Sequence, residues 1–364
     1  MAFDFSKIFS SIKLNLPQKS GRNMIGVDIG TSAIKVVQIH DEDNVPTLDT
    51  YGELQLGPYE GKEIGHTTSL SKEKLIEAFA DILREASVTS TEVSVAISYG
   101  SSFATIITVP TTDEQQISAI MPVEARKYIP VSLNEVTLDW FPVAHHQDSK
   151  SSQVLLAAIH HDALKKYQSI MTATKLHNAY TEIETFSVIR SSVSQNDNTV
   201  ALLDCGAGAT KLYVTRRGLI GKMHSIRQGG SALSEHIASL LTIPFNTAED
   251  LKRTEGLHVA SRNESVQKEL YKYFDRGFHE LRQIIQEYTT EENTKLEKVI
   301  LSGSGALLLG FDEYVQDRLQ LPVTRANPFS KVAYPAFLED TLTRAGPTFT
   351  VALGAALRLM TERK

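Results

Sequence analysis

The stretch MIGVDIGTSAIKVVQI, Met24 to Ile39, decides how the chain is read. Met24 to Ile29 is an apolar, partly β-branched run that ends in the turn Asp28-Ile29-Gly30-Thr31-Ser32, and Ile34 to Ile39 is a second such run. Two strand-like runs joined by a tight Gly turn predict a β-hairpin, not a strand–helix unit. The tip offers Gly30, whose lack of a Cβ lets backbone N–H groups approach an anion, and the hydroxyls of Thr31 and Ser32. Lys35 follows, placed to lay an ammonium against phosphate oxygens.

The second half repeats the pattern. Val200 to Gly206 (VALLDCG) runs into Asp204-Cys205-Gly206-Ala207-Gly208-Ala209-Thr210, and a strand from Lys211 to Thr215 follows. Gly206, Gly208 and Thr210 are the phosphate candidates of this turn. A third strand, Lys298 to Leu301, ends in Ser302-Gly303-Ser304-Gly305, placed to border the nucleoside. A lone DxG turn is as well explained by an ordinary hairpin. Two turns in duplicated halves, with a third Gly-rich turn, predict a two-lobed α/β fold clamping a nucleotide between the lobes. Asp28 and Asp204 are poor phosphate ligands and are expected to serve Mg²⁺, mostly through its retained waters. The chain has neither a GxxxxGK[ST] loop nor a GxGxxG opening a βαβ unit, which excludes a P-loop and makes a Rossmann site a poor fit.

The bulk numbers agree with a folded two-lobe protein. The chain has 364 residues, 41% hydrophobic and 22% charged, with a net charge of −6. No basic excess marks a nucleic-acid binder. Cys205 is the sole cysteine, so no disulfide framework forms within the chain. No run reaches the ~20 apolar residues of a membrane span. Residues 1–23 are read as a separate extension, with Phe3, Ile8, Phe9 and Ile12 around Lys7 and Lys13 suggesting a short amphipathic helix. Further helices are expected over Leu70 to Ser87 (N-cap Ser71), Asp113 to Tyr128 (interrupted at Pro122), Ala163 to Leu176, Ser231 to Leu241, Ala248 to Thr254, Glu264 to Tyr288 and Val351 to Met360.

The paired DxG hairpins and the late GxG resemble the actin/Hsp70/hexokinase superfamily. Met24 to Ile39 and Ile120 to Trp140 (IMPVEARKYIPVSLNEVTLDW) narrow the likeness to the type IV pilus assembly PilM family, close to FtsA. Glu182 to Phe186, Arg227 to Gly230, Ala248 to Lys252 and Phe349 to Arg358 carry it further, so it spans nearly the whole chain from Met24. The most specific part is Glu124 to Pro130. The resemblance implies a duplicated ribonuclease-H-like, actin-like two-lobe fold with an inserted small α/β subdomain. The first lobe would comprise 24–52, 146–199 and 351–364, the insert 53–145, and the second lobe 200–350 with a helical subdomain over 233–295. It implies ATP and Mg²⁺ as cofactors, with Gly30, Thr31, Ser32, Lys35, Gly206, Gly208 and Thr210 at the phosphates. Glu249 and Lys252 would lie near ribose and adenine, and Gly229, Gly303, Ser304 and Gly305 would border the nucleotide. It also implies cytoplasmic residence at the inner face of the membrane, docked to the N-terminal peptide of a PilN-type protein within the pilus inner-membrane assembly complex.

The chain departs from hydrolytic relatives. Actin has an acid after the second DxG glycine and a histidine four residues further on, where this sequence has Ala207 and Lys211. Glu184 is the remaining candidate for activating water, so turnover is expected to be slow at most. A small-molecule kinase of the same superfamily, with Asp139 as its base, and an FtsA-like filament-forming ATPase are the competing readings. Lys13-Leu14-Asn15-Leu16-Pro17 is similar in type to the family's Ile-Asn-Leu-Leu-Pro-like PilN tail, which suggests self-association through the partner groove.

Overall fold

The computed structural model describes residues 23–145, 151–257 and 264–358. The expected amphipathic helix and the Lys13 to Pro17 segment lie outside the described residues. β1 (Asn23–Ile29) and β2 (Ala33–Glu42) form the predicted hairpin, with Asp28 opposite Lys35. β3 (Val45–Gln55) adds antiparallel beside β2, while β4 (Glu92–Ile97) and β8 (His177–Ile183) extend the other side of β1 in parallel.

The second lobe repeats this plan. β9 (Thr199–Cys205), β10 (Thr210–Arg216) and β11 (Leu219–Ile226) form an antiparallel meander, with Asp204 opposite Lys211. β12 (Val299–Ser302) and β13 (Val323–Arg325) continue it in parallel. Strand orders β3-β2-β1-β4-β8 and β11-β10-β9-β12-β13 are the same topology used twice. Every residue of β9 is buried, which accounts for its continuous apolar run.

Helices cover these sheets. α1 (Lys72–Glu85) starts at Ser71, whose hydroxyl accepts the Lys74 N–H at 3.3 Å. Leu75, Ala78, Phe79 and Ile82 then bury its inner face in the first core. α5 (Gly230–Leu241), α6 (Phe245–Thr254) and α7 (Glu264–Glu291) lie between β11 and β12. They share a second core with α8 (Phe311–Leu319). No helix among the described residues is long and apolar enough to cross a membrane.

The structure moves two expected borders. Residues 53–145 do not form one insert, because α1 and β4 belong to the first lobe: β4 pairs with β1. The small sheet consists of β5 (Ser102–Val109), β6 (Val136–His145) and β7 (Ser152–His160), in the order β5-β7-β6. α2 (Glu114–Glu124) packs on it through Ile117 and Met121. The insert thus runs from Ser102 to His160. Periodicity identifies a strand but not the sheet it joins. Likewise the second lobe does not extend to residue 350. From Ala326 the chain returns to the first lobe, where Phe329, Val332, Leu342 of α9 (Glu339–Ala345) and Phe349 pack against Val37, Ile39 and Leu48.

α3 (His161–Ala173) leads into β8, and α4 (Glu184–Ser192) follows directly. α10 (Thr350–Ala356) is wedged against β1 and α4, a packing that two glycines permit. A methyl at Gly26 would collide with the Ala352 carbonyl oxygen, and one at Gly354 with that of Ser187. Beside this contact, Arg190 pairs with buried Glu182 at 2.6 and 2.8 Å and donates to the Gly354 carbonyl at 2.7 Å. Arg358 donates to the Thr181 carbonyl at 3.1 Å. Burial would raise the Glu182 carboxyl, but Arg190 and Arg358 outweigh it and hold it below its ordinary value. Because the obstruction is backbone, Gly354→Val is expected to cost at least the ~1–3 kcal/mol typical of overpacking, read as a lower urea midpoint. An unchanged midpoint would show that α10 and α4 can separate freely.

Candidate functional site

The two hairpin tips face each other across one cleft of about 520 Å³. Gly30, Thr31, Ser32 and Lys35 line it from the first lobe; Gly206, Gly208, Lys211 and Ser304 line it from the second. The turns have the same closure, Gly30 N–H to Ala33 O at 3.0 Å and Gly206 N–H to Ala209 O at 2.9 Å. They also approach closely, since a methyl added at Gly208 would stand 3.1 Å from the Thr31 hydroxyl.

Three carboxylates converge here. Asp28 and Asp204 end β1 and β9, and Glu184 opens α4, all lining the cleft. Lys35 Nζ stands 3.7 Å from Asp28 Oδ2. Lys211 Nζ bridges Glu184 Oε1 at 2.7 Å and Asp204 Oδ2 at 3.2 Å. Glu184 Oε1 also accepts the Tyr99 N–H at 2.6 Å, and the Ser302 hydroxyl donates to Asp204 Oδ1 at 3.2 Å. Burial raises the Asp28 and Glu184 carboxyls, with Lys35 and Lys211 pulling the other way. Burial lowers Lys211, yet Glu184 and Asp204 more than compensate, so the ammonium stays protonated. Burial pushes the Cys205 thiol up to about 12, leaving it inert as a nucleophile.

A second chamber of about 370 Å³ adjoins the first, sharing Ser32, Gly206, Ala207, Ser304 and Thr348 in its walls. Glu249, Lys252 and Gly305 line it. Glu249 accepts from Ser234 Oγ and Lys252 Nζ, each at 2.6 Å, and from Arg253 Nε at 2.7 Å. Burial would raise its carboxyl; Lys252, Ser234 and Arg253 hold it below the ordinary value. Gly303 has φ +79°, and a Cβ there would sit 2.9 Å from Asp204 Oδ1, so only glycine closes the third turn against the second.

Two expected contacts fall elsewhere. Thr210 spends its hydroxyl on the Gln228 carbonyl at 2.8 Å and does not line the cleft. Gly229 is likewise outside both chambers' walls; it backs the second Gly turn, where a Cβ would strike the Ala207 carbonyl. Asp139 lies on β6 of the insert, accepts the Trp140 N–H at 2.9 Å, and lines neither chamber. The Asp204 half of the Lys211 bridge has a sequence signal, since Asp28/Lys35 and Asp204/Lys211 have the same spacing, which places each lysine opposite its aspartate; the Glu184 half has none. Tyr99 left no such signal, and Arg227 none beyond the family likeness of Arg227 to Gly230; both line the cleft.

Residues between β3 and α1 form a strap from the first lobe to the second. Thr68 N–H donates to Thr31 O at 2.8 Å, and Thr67 N–H to Ser231 Oγ at 3.2 Å. His66 stacks on Phe245 with ring centroids 3.5 Å apart and 15° between planes, and Gly65 lies against the Glu249 carboxylate.

Two sheets of one topology, with facing acidic hairpin turns at the cleft between them, define an actin-like two-lobed protein. The chain belongs to the type IV pilus assembly protein PilM family, whose model matches residues 26–360. Among solved structures, it is similar to a chain of a PilM-PilN type IV pilus biogenesis complex at 24% identity and TM-score 0.79, covering 94% of this chain and 99% of that one. Ethanolamine utilization protein EutJ from Carboxydothermus hydrogenoformans aligns at 16% identity and TM-score 0.56, over 96% and 93% of the two chains. MreB5 of Spiroplasma citri bound to ADP aligns at 15% and 0.53, over 92% and 95%.

Phe245→Ala is expected to cost the ~0.5–1.5 kcal/mol of an aromatic pair plus its burial, and to loosen the strap. Hydrogen exchange should quicken at Thr67 and Thr68 while β9 stays protected. Unaltered strap exchange would mean that the ring stack does not hold it.

Proposed function

We propose that this chain binds ATP with Mg²⁺ in the cleft and acts as a scaffold and switch of the type IV pilus machinery, hydrolysing the nucleotide slowly or not at all. The observation that carries this reading is the pair of Asp–Lys hairpins whose tips face one cavity. The Gly-turn amides suit phosphate oxygens, with Lys35 supplying charge. The adjoining chamber suits ribose and adenine, with Glu249 and Lys252 on its wall. Asp28 and Asp204 suit an ion that keeps its waters, since no group of three or more His, Cys, Asp or Glu among the described residues would grip a bare one. When bound, Mg²⁺ would neutralise phosphate charge there.

Slow turnover follows from the occupation of Glu184. A general base works best when no fixed cation stabilises its ionised form, and the Lys211 ammonium lies 2.7 Å from Glu184 Oε1, which also takes the Tyr99 N–H, leaving Oε2 alone to meet a water. A kinase reading is weaker, because a kinase needs a carboxylate facing the acceptor hydroxyl. Asp139 does not line the cleft, and the carboxylates that do are held by lysines.

Family membership and the likeness to a chain of a PilM-PilN complex support the partner assignment: the N-terminal peptide of a PilN-type inner-membrane protein, met at the cytoplasmic face. Calorimetric titration of such a peptide should show saturable binding; none with or without ATP would refute this part.

Mg-ATP should raise the melting temperature, since a ligand at a hundredfold excess over Kd adds about 2.7 kcal/mol. Asp28→Ala or Gly206→Val should abolish the rise, and a wild-type melt unmoved by millimolar Mg-ATP would sink the nucleotide assignment. Phosphate release should stay well below the ~1 per second of slow ordinary enzymes. A rate of that order, lost in Asp204→Ala, would contradict the occupied-Glu184 argument.

A further inference from the structure

Both hairpins carry a lysine opposite their aspartate, yet the two lysines are used differently. Lys35 stays within its own hairpin, near Asp28 at 3.7 Å. Lys211 reaches out of its hairpin to Glu184 of the first lobe at 2.7 Å while keeping Asp204 of the second at 3.2 Å. It is therefore a buried cation spanning the two lobes at the floor of the phosphate cleft, flanked by carboxylates that would otherwise repel each other and any incoming anion.

We propose that the Lys211 ammonium is a built-in cation of this cleft, supplying part of the charge neutralisation that a divalent ion gives and making nucleoside triphosphate binding only weakly dependent on that ion. The inference rests on the nucleotide reading of the cleft. An ammonium has three donors and no acceptor. Glu184 and Asp204 take two, which leaves one for a phosphate oxygen. The same contacts weaken the competing metal position: Asp204 Oδ2 is committed to Lys211, and Oδ1 accepts from Ser302. Asp28 is then the carboxylate with more to offer metal-bound water, so a divalent ion would add to a cation already in place.

The test measures ATP affinity of the full chain by calorimetry, in excess Mg²⁺ and again in EDTA. Wild type is expected to lose less than about tenfold on chelation, because a fixed ammonium remains within the low-dielectric cleft. Lys211→Gln should lose about a hundredfold or more on chelation, yet stay within about tenfold of wild type in Mg²⁺, since the ion then carries the missing charge. Lys211→Arg should keep the wild-type ratio. Glu184→Gln/Lys211→Gln, which keeps the net charge but has no ammonium, should not restore the wild-type ratio; a full restoration would show that Lys211 only offsets Glu184 and would overturn the proposal. A wild-type loss of about a hundredfold, or equal ratios in wild type and Lys211→Gln, would overturn the proposal. If Lys211→Gln does not fold, the wild-type and Lys211→Arg ratios decide. If wild type binds no ATP in either buffer, the nucleotide reading fails and the proposal with it.

Discussion

Asp28, Glu184 and Asp204 face the same cavity, and much of the site's arrangement answers to keeping them there. Like charges in a low-dielectric wall repel unless cations stand among them. Lys35 and Lys211 supply those cations from the strands that carry or neighbour the aspartates, so the counter-charge comes from the hairpin itself. Lys211 adds a consequence that the hairpin alone would not have: by also holding Glu184, it couples the first lobe to the second at the cleft floor.

The lobes are joined at other levels too. The return of the chain at Ala326 places Phe329, Val332 and Phe349 on the outer face of the first sheet. α10 then reaches β1 and α4 through the contacts that Gly26 and Gly354 allow. At the mouth, the strap lays His66 on Phe245 and Thr67 on Ser231. A cleft fastened at its floor and its mouth suits a protein whose work is to hold an arrangement.

On the proposed nucleotide reading, the Lys211 ion pairs would also prepare binding. A buried lysine between two carboxylates is stable only because each partner offsets the desolvation of the others. Such a group stays charged across the physiological range, and a phosphate tail in the proposed site would meet a cation whose position was set by folding. The chain belongs to the type IV pilus assembly protein PilM family, and on the proposed reading a bound nucleotide would serve there as a structural element.

The sequence by itself determined the hairpins, the duplication and the Gly turns at their tips, because each depends on local rules: a β-branched run, a glycine at the tip, an aspartate before it. Gly30, Gly206, Lys35 and Glu249 could be placed from such patterns and the family resemblance. Tertiary structure decided the rest. Whether β4 joins the main sheet or an insert depends on which strand edge it meets, and nothing in EVSVAI encodes that. Thr210 was read as a phosphate ligand from its position in the turn, but its hydroxyl is claimed by the Gln228 carbonyl, a neighbour only the folded chain supplies. Tyr99 comes to Glu184 across 85 residues of sequence, and Lys211 comes to the same carboxylate from the other lobe. Such contacts belong to the meeting of two lobes, and local sequence carries the residues for them without stating which will meet.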